Sequence, residues 1–157
     1  MKTIGDEPGT HERYMQRCIE LARTALQRGN VPVGSIVVLE GSIVGEGFET
    51  LPASNDILGH AEVIACGDAV ARTGSKSLVG ASLYSTAEPC FMCSYLIREY
   101  EIGQVVYAID SPGIGGATSN HPILTDVSIA NWGPAPNIVA GILREECQLL
   151  RSSTTRQ

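Results

Sequence analysis

Four side chains in this sequence are suited to metal-assisted chemistry: His60, Glu62, Cys90 and Cys93, in the order H-x-E and then P-C-x-x-C. In EPCFMC, Pro89 suits the first position of a helix, where a missing N–H costs nothing, which sets Cys90 and Cys93 one turn apart on one face. A helix N-terminus offers partial positive charge and free N–H groups, and so favours the thiolate, the form that binds metal. Two thiolates do not close a tetrahedral zinc site, and the histidines are the natural source of a further ligand. His60 opens the other internal helix, HAEVIA. If both helices follow strands of one sheet, their N-termini share an edge, and His60, Cys90 and Cys93 converge on one ion with Glu62 beside it. Zinc with three protein ligands keeps a position for water, lowers the pKa of that water to about 7, and leaves a neighbouring carboxylate to move the proton. That chemistry is hydrolytic.

The same residues admit other readings. A C-x-x-C pair also serves redox proteins and structural zinc sites. A redox pair expects no H-x-E companion, and structural zinc expects a fourth ligand. Cys66, six residues past His60, turns to a different helix face. His121 lies in a loop that the pattern does not resolve, and it stays open as that ligand. Met15, Cys18 and Cys147 sit on apolar helix faces and read as core. Glu88 reads as a structural residue near a helix start, and His11 as a solvated one.

The elements that must position these groups alternate along the chain. From Thr10 an amphipathic helix runs to Gly29-Asn30. VGSIVVLE and SIVGEGFE read as strands joined in a hairpin at Glu40-Gly41. The polar loop TLPASNDILG leads to a helix from His60 that Gly74 ends. ASLYSTA, 81–87, reads as a strand, PCFMCSYLIREY as a helix and GQVVYAI as a strand. SPGIGGATSNHPILTD reads as loop with one helical turn, and IVAGILREECQLL, 138–150, as a closing helix. A hairpin followed by strand–helix units makes an α/β sandwich on a mixed sheet.

The 157 residues fit one domain, 1–157, with 43% hydrophobic residues and no repeat or linker. MKTIGDEPGT lacks the segments of a secretory leader and no apolar stretch approaches membrane-spanning length, so a cytoplasmic location is expected. Five cysteines, an odd number in such a chain, argue against a disulfide framework. Seventeen acids against eleven bases give a net charge of −6, which disfavours a phosphate backbone as partner. Arg144, Arg151 and Arg156 gather near the C-terminus, but Glu145 and Glu146 sit among them.

His60-Ala61-Glu62 with Pro89-Cys90-Phe91-Met92-Cys93 resembles the zinc-dependent cytidine-deaminase-like superfamily. Within it the chain is similar to the branch that holds bacterial tRNA adenosine deaminases, small guanine deaminases and fungal-type cytosine deaminases. The similarity runs from the opening helix to about Ile109, includes VPVG at 31–34, and resumes in GILREECQLL. The resemblance implies a three-layer α/β/α sandwich on a mixed five-stranded sheet. It implies zinc held by His60, Cys90 and Cys93, proton transfer by Glu62, and backbone N–H groups of Ala61 and Cys90 that position the substrate or the attacking hydroxide. It also implies a homodimer with shared site walls.

One departure shapes the substrate expectation. Many relatives in the branch carry an asparagine just after the second strand, where this sequence has Glu49. An ionised carboxylate only accepts hydrogen bonds, so a Glu49 in the pocket favours rings bearing N–H or NH2 groups. If Glu49 instead faces solvent, Asn55 takes the base. Trp132 and the 111–137 segment either cover the pocket, with the indole stacked on a flat ring, or pack between the last elements. The expected function is therefore hydrolytic deamination of a free nucleobase of guanine, cytosine, isocytosine or aminotriazine type, with no nucleic-acid partner and no membrane. A tRNA adenosine-to-inosine deaminase and a non-catalytic zinc module are the alternatives.

Overall fold

The computed structural model describes residues 7–156. Most of the stretch read for a leader, and the Arg156 side chain, lie outside the described parts. The elements are α1 (Thr10–Gln27), β1 (Gly34–Leu39), β2 (Ser42–Phe48), α2 (Ala61–Thr73), β3 (Ser82–Ala87), α3 (Phe91–Glu99), β4 (Gln104–Ile109), β5 (Asn137–Ala140) and α4 (Arg144–Ser152), with a 3-10 turn at Ser153–Arg156. The strands form one sheet in the order β2-β1-β3-β4-β5. β1 runs antiparallel to β2 and β3, while β3, β4 and β5 are parallel.

Strand alternation divides the core into two layers. Ile36, Val38, Tyr84, Val106 and Ala108 pack under Met15, Cys18, Ile19 and Cys147 from α1 and α4. Val37, Leu83, Val105 and Tyr107 face Ala65, Cys66, Ala69 and Ile97 from α2 and α3. This is the expected three-layer α/β/α sandwich on a mixed five-stranded sheet. The hairpin turns at Glu40 and Gly41, both with positive φ, as a two-residue turn of that hand requires.

α2 lies close against β2 because the strand offers no side chains there. A Cβ on Gly45 would collide with the Ala65 carbonyl, and one on Gly47 with the Ala61 carbonyl. Ala61, Ala65 and Ala69, all fully buried, complete that small-on-small contact. The spacing sets how far the start of α2 stands from the sheet.

The closing segment differs from its reading as a helix over 138–150. Asn137–Ala140 is a strand in parallel register with β4, and the helix begins only at Arg144. Gly141 and Leu143, at φ of 85° and 52°, break the chain between them. The apolar residues of IVAGIL fit both periods, and pairing with β4 decides the outcome.

Candidate metal and catalytic site

β2 and β3 run the same way, since both are antiparallel to β1, so the chain leaves both strands at one edge of the sheet. α2 and α3 begin at that edge. His60 is the N-cap of α2 and Cys90 the N-cap of α3, both with extended backbone, and neither side chain caps its helix. Both side chains are left for a ligand. Cys90 stands two positions earlier in its helix than the placing of Pro89 at the first helical position implies. An isolated antiparallel bridge between Cys90 and Gly115 accounts for its extended backbone.

His60 Nδ1 lies 3.6 Å from Cys90 Sγ and 3.6 Å from Cys93 Sγ. All three donor atoms fall within 4.8 Å of one another. A tetrahedral zinc with Zn–N of about 2.0 Å and Zn–S of about 2.3 Å needs N···S edges of about 3.6 Å, so the donors fit the ion in type and spacing. The Cys90 thiol is lowered to about 5, first by a hydrogen bond from the Cys93 thiol, and also by the backbone N–H groups of Cys93 and Met92 and the charge of His60. Cys93 is pushed up, by that same hydrogen bond and by burial.

Glu62 is buried, and burial raises its carboxyl to about 7. The Ser85 hydroxyl donates to Glu62 Oε1 at 3.0 Å, and the Cys93 thiol lies 3.6 Å from Oε2. The carboxyl therefore stands beside the metal-binding cluster, and is half charged near neutral pH. Groups of that kind serve as proton carriers.

These residues open on a cavity of about 260 Å³, walled by Val31, Leu51, Ser111 and Ile114, with Arg151 of α4 at its lining. Glu49 lines it as well, buried at 6% exposure. Burial raises the Glu49 carboxyl, while the charge of His60 and the backbone N–H groups of Ala61 and Leu51 pull it down.

Two residues named from the sequence as substrate contacts lie elsewhere. Asn55 is exposed on its loop with φ of 54° and does not line the cavity. Trp132 donates from Nε1 to Glu99 at 2.7 Å, packs on Tyr95, and lies under the Arg98 guanidinium. The indole belongs to the outer side of α3, because Arg98 draws the loop there by donating to the carbonyls of Ile123, Leu124, Asp126 and Gly133. Ser85, Ser111 and Arg151 were missed by sequence reasoning. For Ser85 the one available signal is a polar residue amid the otherwise apolar inner face of β3.

A family model for the cytidine and deoxycytidylate deaminase zinc-binding region matches residues 8–109. A protein named tRNA-specific adenosine deaminase from Streptococcus pyogenes serotype M18 is 33% identical over 92% of this chain and 89% of its own length. A solved structure from a study of A-to-I editing by tRNA:A34 deaminases superposes with a TM-score of 0.79 at 29% identity, covering 88% of this chain and 98% of that one. The guanine deaminase structure from Bacillus subtilis gives 0.60 at 34% identity, covering 64% of each chain. The weight of the tRNA-directed relatives overturns two expectations, a free nucleobase as substrate and the absence of a nucleic-acid partner. The cofactor is zinc and the chemistry is deamination: this chain belongs to the cytidine and deoxycytidylate deaminase zinc-binding family.

Proposed function

We propose that the chain deaminates adenosine to inosine in an RNA strand of the tRNA type. The observation that carries this reading is the 33% identity to a tRNA-specific adenosine deaminase along nearly the full length of both chains.

The case for a free base rested on net charge and on Glu49, and both arguments have a physical flaw. A net charge of −6 sums the whole surface, whereas a strand entering the cavity meets the groups that line it, where Arg151 stands with Glu49, Glu62 and Glu88. Glu49 counts as acceptor-only when ionised. Burial raises its carboxyl, against the charge of His60 and the backbone N–H groups of Ala61 and Leu51, and only in the protonated form would it donate to a ring nitrogen such as those of adenine.

His60, Cys90 and Cys93 would hold the zinc, which supplies Lewis acidity and an acidified water. Glu62, held by Ser85, takes a proton from the water side, passes it to a ring nitrogen, and delivers one to the departing ammonia. Val31, Leu51 and Ile114 give the flat ring an apolar wall. Glu49 and the backbone N–H of Cys90 contact the base. A homodimer and a cytoplasmic location belong to the same proposal.

Ammonia release, measured on an anticodon stem-loop, on nucleosides and on free bases, tests the reading. Turnover of the stem-loop with inosine formed at one position supports it, and turnover of free bases alone overturns it.

A further inference from the structure

Glu88 is buried at 3% exposure, two residues before Cys90, and its carboxylate accepts four hydrogen bonds from one segment of chain. The donors are the Ser111 N–H at 2.6 Å, the Ala117 N–H at 2.8 Å, the Thr118 N–H at 2.7 Å and the Thr118 hydroxyl at 2.6 Å. The segment is fitted around that carboxylate. A Cβ on Gly115 would collide with it, and one on Gly116 would collide with Ser94. Gly116 N–H donates to the Pro89 carbonyl at 2.9 Å, and Gly115 bridges to Cys90.

Ser111 and Ile114, from the same segment, form part of the cavity wall. The segment contains no helix or strand of its own, so its position comes from these contacts. We propose that Glu88 is a positioning residue for deamination, a buried anchor that fixes the Ser111–Thr118 wall against the start of α3 and thereby sets the distance between the bound ring and the metal-binding cluster. Four donors converging on one carboxylate hold a loop far more tightly than its own composition would, because each is a charge-assisted bond out of water. Misplacing a reacting ring by about 1 Å costs on the order of 100-fold in rate.

The inference rests on the deaminase chemistry of the family and holds for any substrate that the wild-type chain turns over. The test compares Glu88→Gln, Gly115→Ala and Met15→Ala in the zinc-loaded protein, well below each variant's Tm. Glu88→Gln turns an NH2 toward N–H donors, the methyl added by Gly115→Ala pushes the loop off an intact carboxylate, and Met15→Ala opens a core cavity on the opposite face of the sheet. The readouts are zinc content, amide hydrogen exchange at 111–118, and kcat and KM on the substrate that the ammonia assay identifies. The expected result is full zinc content in all three, with at least 10-fold faster exchange at 111–118 and kcat/KM lower by about 10- to 100-fold in Glu88→Gln and Gly115→Ala only. Either of two results overturns the proposal: faster exchange in Glu88→Gln with wild-type kcat/KM, or an activity loss that follows zinc loss alone. A wild-type chain inactive on RNA but active on another amine refutes the RNA reading and leaves this test intact.

Discussion

Ser85, on β3, donates its hydroxyl to Glu62, on α2, at 3.0 Å, so a strand residue aims the carboxyl that stands beside the metal-binding cluster. The bond also favours the charged form of Glu62, against a burial that raises the group to about 7. Ser85→Ala removes that support. The expected outcome is a kcat/KM lower by about 10-fold with zinc retained, and an acidic limb of the pH–rate profile displaced to higher pH. Glu62→Gln, which ends proton transfer, lowers kcat by about 100- to 10,000-fold at full zinc content.

The same carboxyl makes a stability prediction for the metal-free protein. Its folded pKa of about 7 lies above its ordinary 4.5, so the folded state binds the proton more tightly. The stabilisation is therefore complete below about pH 4.5 and is lost as pH rises through about 7. Glu62→Gln escapes that loss. In chelator, thermal unfolding should show the variant with the higher Tm at pH 8, and the gap should close toward pH 4.5.

Removing one ligand should remove the metal. His60→Ala or Cys93→Ala is expected to bring zinc below one per chain by elemental analysis, to abolish ammonia release, and to lower Tm, since binding energy at such a site is folding energy.

Gly47 carries no chemistry but sets the position of α2. Gly47→Ala directs a methyl at the Ala61 carbonyl and at Ile64. Overpacking of this kind costs about 1–3 kcal/mol. Denaturant unfolding should show that loss, and kcat/KM should fall with it because His60 and Glu62 ride on the displaced helix.

Arg151 is the arginine that lines the cavity. If the substrate is an RNA strand, Arg151→Ala should lower the slope of log affinity against log salt by about 0.7, one phosphate contact on a single strand. Filter binding of a stem-loop across a salt series reads the slope, and turnover of a free nucleoside, where measurable, should not change.

Much of the site was legible in the sequence because its spacing is local. H-x-E at one helix start and C-x-x-C at another are read from neighbours in the chain, and the hairpin and helix ends follow from Glu40-Gly41 and Gly74. What the sequence hides is long-range. Ser85 looks like an ordinary strand serine until β3 is packed under α2. Glu88 looks like a helix-start acid, and its four donors lie 23 to 30 residues away. Trp132 followed the clamp of Arg98 to the outer side of α3, and no local pattern signals that. β5 was hidden because its residues satisfy a helical period equally well, and only the neighbouring strand breaks the tie. The expectation of a free base leaned on a summed charge and on one ionisation state of Glu49, neither of which says which groups a substrate meets at the cavity.

His60 and Cys90 each occupy the residue where a helix begins. Glu62 and Cys93 lie within the first turn of the same helices, so an insertion or deletion at the far end of α2 or α3 shifts only that end, by about 1.5 Å per residue, and leaves these groups where they were. Descendants of this chain are free to lengthen or trim those helices at Gly74 and Tyr100, whereas one residue gained or lost in the short runs before His60 or Cys90 would dismantle the site.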